Sequence, residues 1–168
     1  APRTRFDKDR GIDTPRMRLI LLAKNTQGYK NLIKLVTAAN LEGFYYKPRL
    51  DRELLEMYKS DLVAISPAMY GDVAQAVAGK DLEKARALIS YYKSVYGEDF
   101  YIEITHHPEI EGHEEKMMGL IAIAKETATP IMAANEVFYL TTKDRLARNT
   151  LVSIQNIDYS DKSGGGGI

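Results

Sequence analysis

The sequence predicts an α/β fold made of parallel βαβ units. Two observations support this: short apolar segments of strand length recur along the chain, and segments of helical length separate them. The predicted strands are residues 17–23, 61–66, 100–105 and 130–134. A helix between two such strands normally returns the chain to the edge where the first strand began, so we expect parallel neighbours with right-handed crossovers.

The first predicted helix follows the first strand and begins near Thr26. Its apolar residues recur at helical spacing on one face, and Gly43 ends it. These apolar residues are Tyr29, Leu32, Ile33, Val36 and Ala39. Asp51 is predicted to cap a short second helix through Tyr58, because its side chain can accept hydrogen bonds from the first free N–H groups.

The remaining helices follow the later strands. Three of them are expected over residues 70–78, 82–96 and 113–127. Asp81 is predicted to cap the second of these. Thr142, in the sequence Thr-Lys-Asp-Arg, is predicted to cap a final helix that runs to about Ile154.

The two ends of the chain differ in composition from the segment between them. Residues 1–16 mix arginines with aspartates and show no regular period, which predicts a hydrated loop or arm. Residues 158–168 contain a run of glycines, which is typical of a flexible linker. The α/β domain is therefore predicted to span residues 17–157.

Composition excludes several classes of function. The 168 residues include 23 Lys and Arg and 23 Asp and Glu, so the formal net charge is zero and no overall attraction to nucleic acid or acidic membranes is expected. The absence of cysteine excludes disulfides and thiolate metal ligands. Apolar runs are too short to cross a bilayer and no leader opens the chain, so we expect a cytoplasmic protein without membrane contact.

A short motif is more specific than the fold pattern. Residues 42–49 read Glu-Gly-Phe-Tyr-Tyr-Lys-Pro-Arg, an order that no general helix or strand pattern requires. Together with the apolar segment 19–25 and the helical segment 28–36, this motif resembles the PHP (polymerase and histidinol phosphatase) domain of the bacterial DNA polymerase III alpha subunit. The resemblance extends to about residue 155.

The resemblance implies a fold and a role. The family has a distorted (β/α) barrel, and this chain is similar to its later portion without the opening strands. The parent protein is a DNA-directed DNA polymerase, a nucleotidyltransferase of DNA replication, whose polymerising carboxylates lie in a separate palm domain. The implied partners are the remainder of the alpha subunit and other replisome subunits, such as the proofreading exonuclease. An exposed strand edge also makes self-association an expectation.

The resemblance also locates a metal site. Family members bind divalent metals at the strand ends and use them to hydrolyse phosphoesters. The opening ligand segments have no counterpart here, and the later positions fall on Arg18, Ala68, Glu136 and Phe138, of which Glu136 alone offers a carboxylate. We therefore expect a metal-free domain without catalytic residues or cofactor, in a structural or docking role. The same substitutions would fit a scaffold engineered from the PHP barrel.

The histidines allow an alternative site. His106, His107 and His113 follow a predicted strand, and with Glu103 they could hold zinc. With Glu136 they could form a residual phosphoesterase that uses zinc or manganese. Adjacent histidines match no standard zinc spacing, so we favour a solvated loop with His113 near a helix start.

The motif combines aromatic rings with cations. The rings of Tyr45 and Tyr46 could stack on the bases of a nucleic-acid strand, and Lys47 and Arg49 could neutralise its phosphates. We favour the interpretation in which the aromatic rings pack and Lys47 and Arg49 face solvent, because amphipathic side chains bury their stems and expose their tips.

Overall fold

The computed structural model describes residues 3–13, 17–135 and 137–163, with side chains described through residue 155. The chain divides into two compact units, Ala1–Ala134 and Asn135–Ile168. Among the described residues, the first unit contains the strands and five α-helices, and the second contains a 3-10 turn and one α-helix. None of the described helices is long and apolar enough to cross a membrane.

The described strands form one sheet in the order β1-β2-β3-β4. The strands are β1 Ile20–Ala23, β2 Leu62–Ser66, β3 Phe100–Ile104 and β4 Ile131–Ala133. The pairs β2–β3 and β3–β4 are parallel, as the sequence predicts. Strand β1 is antiparallel to β2, with Ala23 opposite Leu62, so the prediction of an all-parallel sheet is wrong at the first strand. The fold is therefore of the α/β class, with a mixed parallel and antiparallel sheet and helices.

The helices of the first unit lie close to the predicted positions. They are α1 Thr26–Leu41, α2 Arg52–Met57, α3 Asp72–Ala78, α4 Leu82–Tyr96 and α5 His113–Glu126. Asp51 accepts a hydrogen bond from Leu54 N, and Asp81 accepts one from Lys84 N, so both predicted caps are confirmed. The cap of α1 is Asn25, whose side chain accepts from two backbone N–H groups.

The path between β1 and β2 explains their antiparallel pairing. After α1, the chain returns along that same helix, because successive contacts run backwards along it. Gly43 O accepts from Arg49 Nε at 3.0 Å, Lys34 Nζ lies 5.4 Å from the Tyr58 ring centroid, and Asn31 Nδ2 donates to Ser60 O at 2.9 Å. The chain thus runs forward through α1 and then back beside it, which brings it to the end of the sheet where β1 stopped. Strand β2 therefore runs in the opposite direction to β1.

The core lies on one face of the sheet. Alternate strand residues Leu62, Ala64, Phe100 and Ile102 are almost fully buried under the helices. The Tyr92 ring of α4 stacks on Phe100 with centroids 5.1 Å apart. In β1 the alternation continues outward, since Leu21 packs against the core while Ile20 and Leu22 on the other face are exposed.

The second unit contains the 3-10 turn Thr142–Asp144 and α6 Arg145–Ser163. Asp144 Oδ2 accepts hydrogen bonds from Thr141 N at 3.0 Å and from Thr141 Oγ1 at 2.9 Å. The cap is therefore Thr141, one residue before the predicted Thr142, because its side chain and N–H both reach Asp144. Helix α6 also continues to Ser163, so the first residues of the predicted flexible tail are helical.

Candidate functional site

The carboxyl ends of β2 and β3 lie side by side, at the kind of sheet edge where α/β enzymes gather their reacting groups. Ala68 follows β2, is fully buried, and donates its N–H to Glu103 Oε1 over 3.3 Å. The carboxylate of Glu103 is therefore bonded to the loop backbone. Ser66 is the last residue of β2, and its Oγ is buried without a hydrogen-bond partner among the described residues.

Arg18 joins this edge from the segment just before β1. Its N–H donates to Tyr70 O over 3.0 Å, and its guanidinium lies 4.7 Å from the centroid of the Tyr70 ring. Tyr70 belongs to the loop between β2 and α3. Two of the predicted positions, Arg18 and Ala68, are thus brought to the same loop, where they present a cation and a methyl group.

The histidine loop follows β3 and is only partly solvated. His113 is buried, and its Nε2 lies 3.0 Å from Thr105 O, a carbonyl that can only accept, so Nε2 carries the hydrogen. Its Nδ1 is buried without a partner among the described residues. The His107 ring meets the His113 ring edge-on, with centroids 5.3 Å apart, while His106 is exposed. His113 is the first residue of α5, so its predicted position near a helix start is confirmed, but its ring is buried and not solvated.

His107 has a carboxylate neighbour of its own. Its Nδ1 lies 3.1 Å from Glu109 Oε1. Hydrogen bonds from the Glu109 backbone N–H and from His107 hold the pKa of the Glu109 carboxyl below its ordinary value. The structure brings His107 close to His113 and Glu109, but Glu103 bonds to a different loop.

Arg49, predicted to face solvent, is buried. Its Nε donates to Gly43 O over 3.0 Å, Nη1 to Asp13 O over 3.1 Å, and Nη2 to Arg5 O over 2.9 Å and Asp7 O over 2.8 Å. The prediction was wrong because the guanidinium satisfies backbone carbonyls that would otherwise be buried without donors. Arg49 is therefore unavailable to a nucleic-acid phosphate, whereas Lys47 is exposed and stays a candidate.

The N-terminal segment 3–13 is anchored through Arg5. Its backbone N donates to Asp51 Oδ2 over 2.9 Å, and its guanidinium contacts Asp51, Glu42 and Glu53 over 3.0, 2.6 and 2.8 Å. Arg3 pairs with Asp13, whose side chain is fully buried. The described part of the predicted hydrated arm is thus anchored at Arg5 and Asp13, which are buried, while most of its other residues are exposed. Arg5 anchors it because its guanidinium reaches carboxylates that are distant in sequence.

This anchoring changes the ionisation of Asp51. Burial opposes its charge, but hydrogen bonds from the backbone N–H groups of Arg5 and Leu54 and from the Arg5 guanidinium outweigh that effect and hold the Asp51 pKa below its ordinary value. The carboxylate both caps α2 and holds Arg5. It remains charged in the folded protein at neutral pH.

The motif loop presents aromatic rings to solvent. Phe44 is 51% exposed and Tyr46 is 65% exposed, so the prediction that the aromatic side chains pack is wrong for Tyr46. Tyr45 is the ring that packs: it lies 5.2 Å from the Arg49 guanidinium and 4.6 Å from the Tyr46 ring. A Cβ on Gly43 would lie 2.1 Å from Arg49 O, which is why glycine is required there.

Comparison with known proteins places this architecture in a family. A family model described as PHP domain matches residues 5–107, which is more than half of the chain. The chain belongs to the PHP family. The matched range includes Arg5, the motif loop, β1 to β3 and His107.

PHP-domain relatives are named DNA polymerase III subunit alpha. The chain is 38% identical to the Borreliella burgdorferi protein over 81% of its own length and 12% of that protein. It is 36% identical to the Aquifex aeolicus protein and 35% identical to the Thermus aquaticus protein, covering 91% and 93% of this chain and 13% of each relative. The chain therefore spans about one eighth of the length of these relatives.

The metal ions implied by the PHP family do not fit the residues that the resemblance assigns to the ligand positions. Arg18 offers a guanidinium, Ala68 offers no donor atom, and Phe138, in the second unit, lies under the Arg148 guanidinium at 4.1 Å. Glu136 lies outside the described residues. Within the described ranges 3–13, 17–135 and 137–163, no group of three or more His, Asp or Glu residues is arranged to hold a metal ion.

Sequence reasoning missed Arg5 and the structural role of Arg49. The signal was present as charge pattern, because arginines near the start of the chain are matched by carboxylates in residues 42–53. These partners are separated by up to 48 residues in sequence. No local rule pairs them, so the anchoring of the N-terminal segment could be found only from the structure.

Proposed function

We propose that this chain serves as the PHP-domain portion of a bacterial DNA polymerase III alpha subunit and acts there as a structural and docking element in DNA replication. The proposal rests on the relatives from Borreliella burgdorferi, Aquifex aeolicus and Thermus aquaticus, which carry that name. Its proposed metal-free character is supported by a guanidinium at Arg18 and a methyl group at Ala68, the residues that the resemblance assigns to ligand positions. The polymerising activity would belong to other parts of the polymerase.

In this proposal, the four-stranded sheet is a portion of a distorted barrel of the PHP type. Parallel strands β2, β3 and β4 with helices between them are the βαβ part of such a barrel. Strand β1 occupies a sheet edge with Ile20 and Leu22 exposed. The proposed partner for this edge is the remainder of the alpha subunit, with self-association and docking of a proofreading exonuclease as further expectations in a cytoplasmic replisome.

A chimeric polymerase tests this function. We would replace the matching residues of the Aquifex aeolicus alpha subunit with this chain and measure primer extension, using deletion of those residues without replacement as the control. The chimera should fold and extend the primer, while the deletion variant should be insoluble or inactive, because the buried PHP surfaces would lose their core. A folded chimera that extends no faster than the deletion variant would contradict the proposal.

A further inference from the structure

The motif loop exposes two aromatic rings beside a cation. Phe44 is half exposed, Tyr46 is more exposed, and Lys47 extends into solvent next to them. Large aromatic side chains are usually buried, and two exposed rings on one short loop form an accessible apolar surface.

This loop has a rigid base. Arg49 fixes its end with hydrogen bonds to Gly43 O, Asp13 O, Arg5 O and Asp7 O. Tyr45 N also donates to Lys47 O over 3.1 Å across the loop. The rings are therefore held in place before any ligand arrives, so a ligand would lose little affinity to ordering of the loop.

Tyr46 occupies an unfavourable backbone conformation. Its φ is +60°, a left-handed value that costs a non-glycine residue about 1 kcal/mol and that asparagine or glycine tolerates better. Its ring gains little burial in return. Strained residues of this kind concentrate where a protein binds or reacts, since the side chain is retained for a purpose other than folding.

The local charges decide which ligand fits. Five of the six carboxylates in residues 3–13 and 42–53 are paired with arginines: Arg3 holds Asp9 and Asp13, and Arg5 holds Glu42, Asp51 and Glu53. The sixth, Asp7, accepts hydrogen bonds from Thr4. Lys47 forms no ion pair with any residue that the structure describes. The charge that directly follows the exposed Tyr46 ring in sequence is therefore an unpaired cation, although the whole chain has no net charge.

We propose that Phe44, Tyr46 and Lys47 form a binding surface for single-stranded nucleic acid. Bases stack on the two rings and the Lys47 ammonium contacts a phosphate, which is the combination that sequence-independent single-strand binding uses. Aromatic rings are also common in protein interfaces, but lysine is depleted there, so the unpaired Lys47 beside the rings favours a ligand with phosphates. The inference does not depend on the role proposed above, since it rests on this loop alone.

Fluorescence anisotropy with a labelled oligonucleotide of about 12 thymidines tests the proposal, a length within the range of known single-strand sites. The probe is titrated with the full chain at low salt and compared with a duplex of equal length. Tyr46→Asn removes a ring while favouring the left-handed backbone, and Lys47→Ala removes a cation. Tyr29→Ala, which removes an exposed ring on α1, is the matched control.

The wild-type chain should bind the single strand more tightly than the duplex. Tyr46→Asn should weaken binding about fivefold or more without lowering the melting temperature, because one stacked base is lost. Lys47→Ala should reduce the slope of log affinity against log salt by about 0.7, because one phosphate contact is lost. Tyr29→Ala should bind as the wild type does.

Three outcomes would overturn the inference. The first is no saturable binding up to about 100 μM protein, the weak end of the non-specific range. The second is equal weakening by Tyr29→Ala and Tyr46→Asn. The third is wild-type affinity in Tyr46→Asn, which would assign the exposed rings to a protein partner or to no partner.

Discussion

At the scale of single residues, Arg49 shows why the motif needs an arginine. Four carbonyl oxygens from the chain start and from Gly43 converge on its guanidinium, at 2.8 to 3.1 Å. Lysine offers a single nitrogen and could not reach acceptors that lie on different sides of the planar fork. The same side chain thus shapes the motif loop that follows α1 and holds residues 3–13, which links the family motif to folding.

Asp51 allows a prediction about pH. Its folded pKa is lowered, so the stability from its charge is present above the unfolded value of about 3.9 and is lost as pH falls through the folded pKa. Asp51→Asn keeps an oxygen to cap α2 but removes the negative charge that holds Arg5. We expect this variant to be less stable than the wild type at pH 7, and the difference to shrink below about pH 4.

Urea unfolding at several pH values measures this difference. Glu111→Gln, on the exposed loop before α5, is the matched control, and its effect should stay small at every pH. A difference between Asp51→Asn and the wild type that stays constant from pH 7 to about pH 3 would contradict the charge argument, because a protonated aspartate and an asparagine have similar hydrogen-bonding capacity.

At the scale of elements, the sequence predicts positions well and strand direction poorly. Aspartates at 51 and 81 mark helix starts correctly, because capping depends on neighbours within a few residues. The direction of β1 depends on how many times the chain crosses between strands, and the return along α1 is set by contacts between residues far apart in sequence. The burial of Arg5 and His113 was missed for the same reason.

The contact between α1 and the start of β2 allows a second prediction. A Cβ on Gly28 would lie 2.1 Å from Asp61 O, so alanine there must push the helix away from the backbone. We expect Gly28→Ala to destabilise the protein by about 1–3 kcal/mol, even though alanine is the better helix former by about 1 kcal/mol. The free energy of unfolding, measured by urea denaturation, provides the comparison.

Thr37→Ala supplies the control for Gly28→Ala on the same helix. Thr37 is exposed, so its replacement changes helix propensity without changing packing, and a gain of a few tenths of a kcal/mol is expected. If both variants were stabilised, the close packing of α1 on Asp61 would be refuted.

At the scale of the whole molecule, apolar packing builds the core and ion pairs hold the start of the chain. Phe100, Ile102 and Leu120 are buried among the helices, and ion pairs from Arg3 and Arg5 hold the chain start. Neither set contains metal ligands in a suitable arrangement. A metal ion that binds the folded protein also stabilises it against unfolding. Whether the residues at the ligand positions hold a metal ion can therefore be read from the stability of the chain.

We therefore expect the melting temperature to be independent of metal. A site whose dissociation constant is one hundredth of the free metal concentration would add about 2.7 kcal/mol to the free energy of unfolding. Such a gain raises the melting temperature by several degrees. Adding zinc or manganese, or removing metal with a chelator, should leave the transition unchanged, and a chromogenic phosphodiester should not be hydrolysed.

Restoring family ligands in the triple variant Arg18→His, Ala68→Cys and Phe138→His should not produce hydrolysis, because a catalytic cage needs further ligands. Chelator-sensitive melting or hydrolysis in the wild-type chain would show that other donors hold a metal ion.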